Sequence, residues 1–188
     1  MVHIKITDEI RDAARLRADR PVYNNSHRKE AANIVGCLGE IVVERVLEEN
    51  EVPFKPVYTY THDLVFPDGK TMEIKTKDRT VRPRPDYDCT IPLESMARQT
   101  ATMFTFVSLY RPEKRDKGVK ARPEDYTDAY VVGVIGRGKF DRLKKRWDKD
   151  SVDPSNGTRF WTDCYNVYIN QLTGFDTAMD LWRDGYLH

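Results

Sequence analysis

Residues 63–77 constrain this chain more than any other stretch. Leu64 and Phe66 before Pro67-Asp68-Gly69, and Met72 and Ile74 after it, all fall at even positions, whereas Asp63, Val65, Glu73 and Lys75 fall at odd ones. Successive side chains of a strand point to opposite faces, so this alternation predicts two strands, 63–66 and 71–77, with one apolar face. Antiparallel partners share a face, and only pairings whose residue numbers sum to an even value bury the apolar set together. A three-residue loop meets that condition. Pro67 and Asp68 suit a type I turn, and Gly69 supplies the left-handed residue that closes it. Phe66 then faces Lys70, and Asp63 faces Glu73. Opposed Cβ atoms lie about 4.5–5.5 Å apart, close enough for both carboxylates to reach one cation. Lys75, two residues beyond Glu73, shares their side.

The flanking sequence frames this hairpin. Thr7 is placed to cap a first helix over 7–20, with Asp8 and Glu9 in its opening turn and Ile10, Ala13, Ala14 and Arg17 on one face. A longer helix over 26–50 follows, capped by Ser26, with Ala31, Val35, Leu38, Val42 and Val46 at helical spacing. A strand over 54–60 precedes the hairpin. After it come a polar loop (78–90), a short helix (92–100) and strands at 103–110 and 130–135. Next is a basic helix over 139–147 with Phe140, Leu143 and Trp147 as its packed stripe. A strand-like run at 165–169 lies in a C-terminal extension, 150–188. The 188 residues suit one domain. Helix, three strands, helix, strand is the order of an α/β sandwich with a central mixed sheet flanked by helices.

Composition narrows the class. No apolar run reaches the length of a membrane span, and residues 1–20 lack the apolar centre of a secretory signal, so a soluble, cytoplasmic chain is expected. Cys37, Cys89 and Cys164 form no CxxC pair and are read as free thiols. The 31 Lys and Arg nearly balance the 30 Asp and Glu, for a net charge of +1, but they are segregated. Residues 75–84 hold five bases against one acid, 111–122 six against two, and 137–149 seven against two. Such runs suit a polyanionic partner, or else form solvated surface segments.

Two opposed carboxylates beside a lysine repel one another unless a cation or proton compensates. Hard oxygen ligands without His or Cys favour Mg²⁺ or Mn²⁺, ions that polarise phosphates and activate water. The plain alternative is an exposed hairpin face carrying a Glu–Lys surface pair. Asp63, nine intervening residues, then Glu73-Ile74-Lys75, preceded by a helix bearing Glu40, resembles the PD-(D/E)XK nuclease superfamily. The resemblance spans roughly 26–135 in element order. It implies a restriction-endonuclease-like fold with an αβββαβ core, metal ligation by Asp63, Glu73 and Glu40, and a water-orienting role for Lys75. His62 stands where the motif's proline would be, and Met103 where the RecB-like branch, with its Gln-x-x-x-Tyr motif, would place a tyrosine after Gln99. The layout is most similar to small stand-alone nucleases of phages and mobile elements.

Gly36 and Gly39 flank Glu40's approach, and each costs a helix about 1 kcal/mol relative to alanine, so their expected role is clearance against the sheet. His27 and His62 are read as capping or surface residues. Gly133-Val-Ile-Gly136-Arg-Gly138-Lys139 matches a phosphate-loop pattern, but Phe140 stands where its Mg²⁺-binding hydroxyl belongs. A glycine-rich strand-to-helix turn is preferred. The resulting expectation is a Mg²⁺-dependent deoxyribonuclease, with Mn²⁺ as a substitute ion. Lys77, Arg79, Arg82 and Arg84 after the catalytic strand, and Lys144, Lys145 and Arg146 on the later helix, are its candidate phosphate contacts. RNA is the alternative polymer, a homodimer is compatible with the sequence, and a silent binding module or an NTPase are the rival readings.

Overall fold

The computed structural model describes residues 1–19, 30–114, 116, 119 and 121–183. Ser26 and His27, and with them the expected cap of the second helix, lie outside these.

The hairpin anchors a mixed six-stranded sheet. Its strands are β1 (Val2–Lys5), β2 (Lys55–Pro56), β3 (Leu64–Val65), β4 (Thr71–Arg79), β6 (Met103–Tyr110) and β7 (Asp128–Gly136), in the spatial order β1-β7-β6-β4-β3-β2. Only β4 and β6 run parallel; the other neighbours are antiparallel. Leu64 pairs with Met72 and Val65 with Thr71, the even-sum register that the alternation predicts. Gly69 adopts φ +81°, and its amide donates to the Phe66 carbonyl at 2.9 Å.

Apolar layers cover both faces of this sheet. On one, Met72 and Ile74 of β4 and Met103, Val107 and Leu109 of β6 pack under α1 (Asp8–Ala18), α2 (Glu30–Glu49) and α5 (Phe175–Arg183). Thr7 caps α1 as expected, accepting from the Ile10 amide at 3.4 Å. On the other face, Phe104, Phe106 and Val132 pack against a second, three-stranded sheet. It is built from β5 (Asp88–Pro92), β9 (Cys164–Tyr168) and β8 (Lys145–Trp147), in the order β5-β9-β8. Phe140 of α4 (Arg137–Leu143) closes that layer.

Several expectations change. The strand over 54–60 shrinks to Lys55–Pro56, because the Thr59 hydroxyl bonds the His62 carbonyl at 2.9 Å and accepts from the Thr61 amide at 3.3 Å. Side chains of this kind offer the backbone an alternative to a ladder. The polar stretch 78–90 is not all loop: β4 runs on to Arg79 and β5 begins at Asp88, while α3 covers only Leu93–Arg98. The basic helix stops at Leu143. Lys145, Arg146 and Trp147 leave it to pair with Asn166, Tyr165 and Cys164 of β9, and Trp147 stacks on Phe160, centroids 4.9 Å apart. The glycine-rich segment forms no phosphate-binding loop, since β7 ends at Gly136 and α4 starts at the next residue. Gly133 instead makes room within β7, where a Cβ would crowd the Thr173 carbonyl and the Leu172 side chain.

Candidate active site

β3 is only two residues long, so the chain leaves the ladder at Asp63. The Asp63 amide donates to the Met72 carbonyl at 2.9 Å, and the Asp63 Oδ2 accepts from the Ile74 amide at 2.6 Å. Its carboxylate thus takes the place of a backbone partner beside β4. This differs from a plain opposed pair of strand residues, yet it brings Asp63 to the position the register requires, next to Glu73.

Glu73 is buried, and its Oε1 accepts from Lys75 Nζ and from Gln99 Nε2, each at 2.6 Å. Among the described residues no donor reaches Glu73 Oε2 or Asp63 Oδ1, so each carboxylate keeps one uncommitted oxygen. Surrounding protein raises the Asp63 pKa well above the ordinary value, and Glu73 and Glu40 push it further. The Ile74 amide and Lys75 oppose them only partly. Either a proton or a cation at this point would relieve the repulsion.

Glu40 comes from α2, which approaches β4 closely because residue 39 is glycine. A Cβ there would overlap the Thr76 hydroxyl, whereas one at Gly36 would meet nothing within 4 Å. The clearance reading therefore holds for Gly39 and not for Gly36. Burial raises the Glu40 pKa, opposed by Arg17 and reinforced by Glu44 and Glu73. Arg17 of α1 is itself buried. It makes a two-pronged pair with Glu44, 2.6 Å on each arm, and reaches Glu40 Oε2 at 3.3 Å. Burial disfavours its charge, but the pairing outweighs that and keeps the guanidinium more basic than usual.

The carboxylates of Glu40, Asp63 and Glu73 line a cleft of about 1050 Å³ between α2 and the second sheet, whereas Arg17 and Glu44 do not. Glu40, Asp63, Glu73, Lys75, Lys77 and Arg79 all contribute to its walls; Arg82, Arg84, Lys144, Lys145 and Arg146 do not. Arg79 donates to Ser108 Oγ and the Asp88 carbonyl, and with Arg84 it clamps the Tyr87 ring, at 4.7 and 4.6 Å from the centroid. Arg84 also pairs with Asp86, Lys144 with Asp141, and Arg146 with Asp148. Lys145 lies over the Tyr168 ring. The two basic segments are therefore not brought together in the cleft.

Sequence reasoning passed over Gln99 and Arg17. The spacing of Gln99 to Met103 carries no sign of Glu73; Gln99 stands just past the end of α3, where its side chain turns inward against β4. Arg17 falls on the packed face of its helix, and a buried arginine needs acidic partners; Glu40 and Glu44, four residues apart on the next helix, are the signal for it.

The donor set suits Mg²⁺ or Mn²⁺: carboxylate oxygens, two of them uncommitted, with no His or Cys. Among the described residues no group of three or more His, Cys, Asp or Glu is placed to hold a metal ion, so Glu40 does not join Asp63 and Glu73 as a third ligand in this arrangement. An ion here would be held by Asp63 and Glu73, with water and substrate oxygens filling its shell, as is usual for Mg²⁺. No helix among the described residues is long and apolar enough to cross a membrane. Comparison of the sequence with protein-family models finds no match, and neither does comparison with curated proteins.

Proposed function

We propose that this protein is a metal-dependent nuclease that hydrolyses phosphodiester bonds in DNA, with its reacting centre at Asp63, Glu73 and Lys75. The observation that carries this reading is the pair of uncommitted carboxylate oxygens, Asp63 Oδ1 and Glu73 Oε2, beside a lysine in a cleft walled by further cations. On this reading α2 and the six-stranded sheet correspond to a restriction-endonuclease-like core.

A bound Mg²⁺ supplies Lewis acidity toward a phosphate oxygen and lowers the pKa of water. The chain's own residues do the rest. Asp63 and Glu73 hold the ion, their positions set by the Ile74 amide and by Gln99. Lys75, 2.6 Å from Glu73, limits the repulsion between the carboxylates and presents its ammonium to the incoming phosphate and to the attacking water. Glu40 adds negative charge near Asp63, balanced by Arg17. Lys77 and Arg79 extend the positive wall along β4.

The test is incubation with linear, circular, single-stranded and branched DNA, and with RNA, each in Mg²⁺, Mn²⁺ and EDTA. Cleavage should need the divalent ion. Glu73→Ala and Lys75→Ala should both abolish it, the first with loss of Mn²⁺ affinity by titration and the second with that affinity largely kept. No cleavage of any polymer by the unsubstituted protein overturns the reading, and Mn²⁺ binding by Glu73→Ala equal to wild type removes Glu73 from the ion's ligands.

A further inference from the structure

Of the large apolar side chains exposed among the described residues, three line the cleft that contains Asp63 and Glu73: Val119 and two rings, Tyr60 at 56 % and Trp161 at 67 %. Exposed rings at a polar cleft suggest a flat ligand. The adjoining wall supplies the complementary charge: Lys75, Lys77 and Arg79 sit at alternate positions of β4, so their Cα atoms are spaced by about 6.6 Å. That step is close to the separation of neighbouring phosphates in an extended nucleic-acid strand.

Lys77 distinguishes this row from an ordinary salt-bridged strand. Lys75 is bonded to Glu73, and Arg79 to Ser108 and Asp88, but Lys77 has no hydrogen bond or ion pair with any described residue. Burial and the nearby Arg79 charge make its ammonium easier to lose, so an anion placed there would be well received.

We infer that the cleft takes single-stranded DNA, with successive phosphates along Lys75, Lys77 and Arg79 and unpaired bases against Trp161 and Tyr60. The inference deepens the nuclease reading and takes its reacting centre from it, but the binding itself needs no hydrolysis. The rings favour a single strand because a base exposes its π-face to a side chain only when it is unpaired and unstacked, whereas a duplex offers mainly its backbone and groove edges. Stacking of this sort tolerates any base, and the cation row tracks any backbone. The substrate is therefore selected by its unpaired state, with sequence secondary.

Fluorescence anisotropy in EDTA, with a labelled oligothymidylate and a blunt duplex of equal length as probes, isolates binding from cleavage. The single strand should bind more tightly. Trp161→Ala should weaken it by about 10-fold, the scale of one lost stacking contact, and leave duplex binding unchanged. Lys77→Gln should lower the slope of log affinity against log salt by about 0.7, one phosphate contact on a single strand. The oligothymidylate should also quench tryptophan emission, and Trp161→Phe should remove that quench while keeping the affinity near wild type. Equal or tighter duplex binding, or wild-type single-strand affinity in Trp161→Ala, overturns the inference. Absence of cleavage in Mg²⁺ with the predicted binding pattern intact overturns the hydrolytic reading alone.

Discussion

Replacing Gly39 with alanine sets two effects against each other, and the structure decides which wins. Inside a helix the change should stabilise by about 1 kcal/mol, since alanine loses less backbone freedom. At this position the new methyl would overlap the Thr76 hydroxyl, and the Thr76 Cβ and Cγ2 lie only 3.0 Å from it, so rotating the threonine does not clear the space. Thr76 is held in β4, whose ladder pairs it with Val107 of β6. Overpacking of this kind costs about 1–3 kcal/mol, so the net effect is a loss. Gly36→Ala, on the same helix with nothing within 4 Å, keeps the full gain. The helix term is common to both, so the two variants should differ by the overpacking cost, roughly 1–3 kcal/mol, which for a chain of this size separates their melting temperatures by several degrees. Urea unfolding followed by far-ultraviolet circular dichroism measures both, and Thr76→Ala in the Gly39→Ala background should recover part of the loss. Equal stabilisation by Gly36→Ala and Gly39→Ala would refute the close seating of α2 on β4, and with it the route that brings Glu40 toward Asp63.

Arg17→Met should destabilise by about 3–5 kcal/mol, because it strands the buried Glu44 and Glu40 carboxylates; the double variant Arg17→Met/Glu44→Leu should be less damaging than the single one, as chemical denaturation of the set would show. The raised Asp63 pKa fixes the sign of a pH effect. The folded protein holds that proton more tightly than the unfolded chain, so this group's contribution to metal-free stability is fully present below the unfolded value near 3.8 and is lost as pH rises through the folded value. In EDTA, Asp63→Asn should therefore flatten this decline and melt higher than wild type at neutral pH, while losing the stabilisation that Mg²⁺ gives the wild-type protein. A wild-type profile with no such fall, or one unchanged by the substitution, contradicts the buried-carboxylate account.

The hairpin was legible because its information is local. Strict alternation fixes which residues share a face, and Pro67-Asp68-Gly69 fixes the loop length, so the register of β3 on β4 followed from 63–77 alone. The N-cap at Thr7 and the burial of Leu38, Val42 and Val46 on α2 were legible for the same reason, each being set by residues within a few turns. Other features depend on partners distant in sequence. Lys145–Trp147 has the spacing to continue a helix, but β9 offers it a ladder, and periodicity carries no signal of a strand that arrives about twenty residues later. β5 is hidden in a polar, proline-containing stretch until β9 pairs with it. At the site, the sequence by itself determined that Asp63, Glu73 and Lys75 belong together, since strand geometry leaves them little freedom. Only the tertiary structure decided that Gln99 holds Glu73, that Arg17 balances Glu40, and that Lys77 and Arg79 line the cleft while Arg82, Arg84 and the 144–146 cations lie outside it. The physical reason is that a buried charge is placed by whatever surrounds it in space, and those surroundings come from five separate segments of the chain.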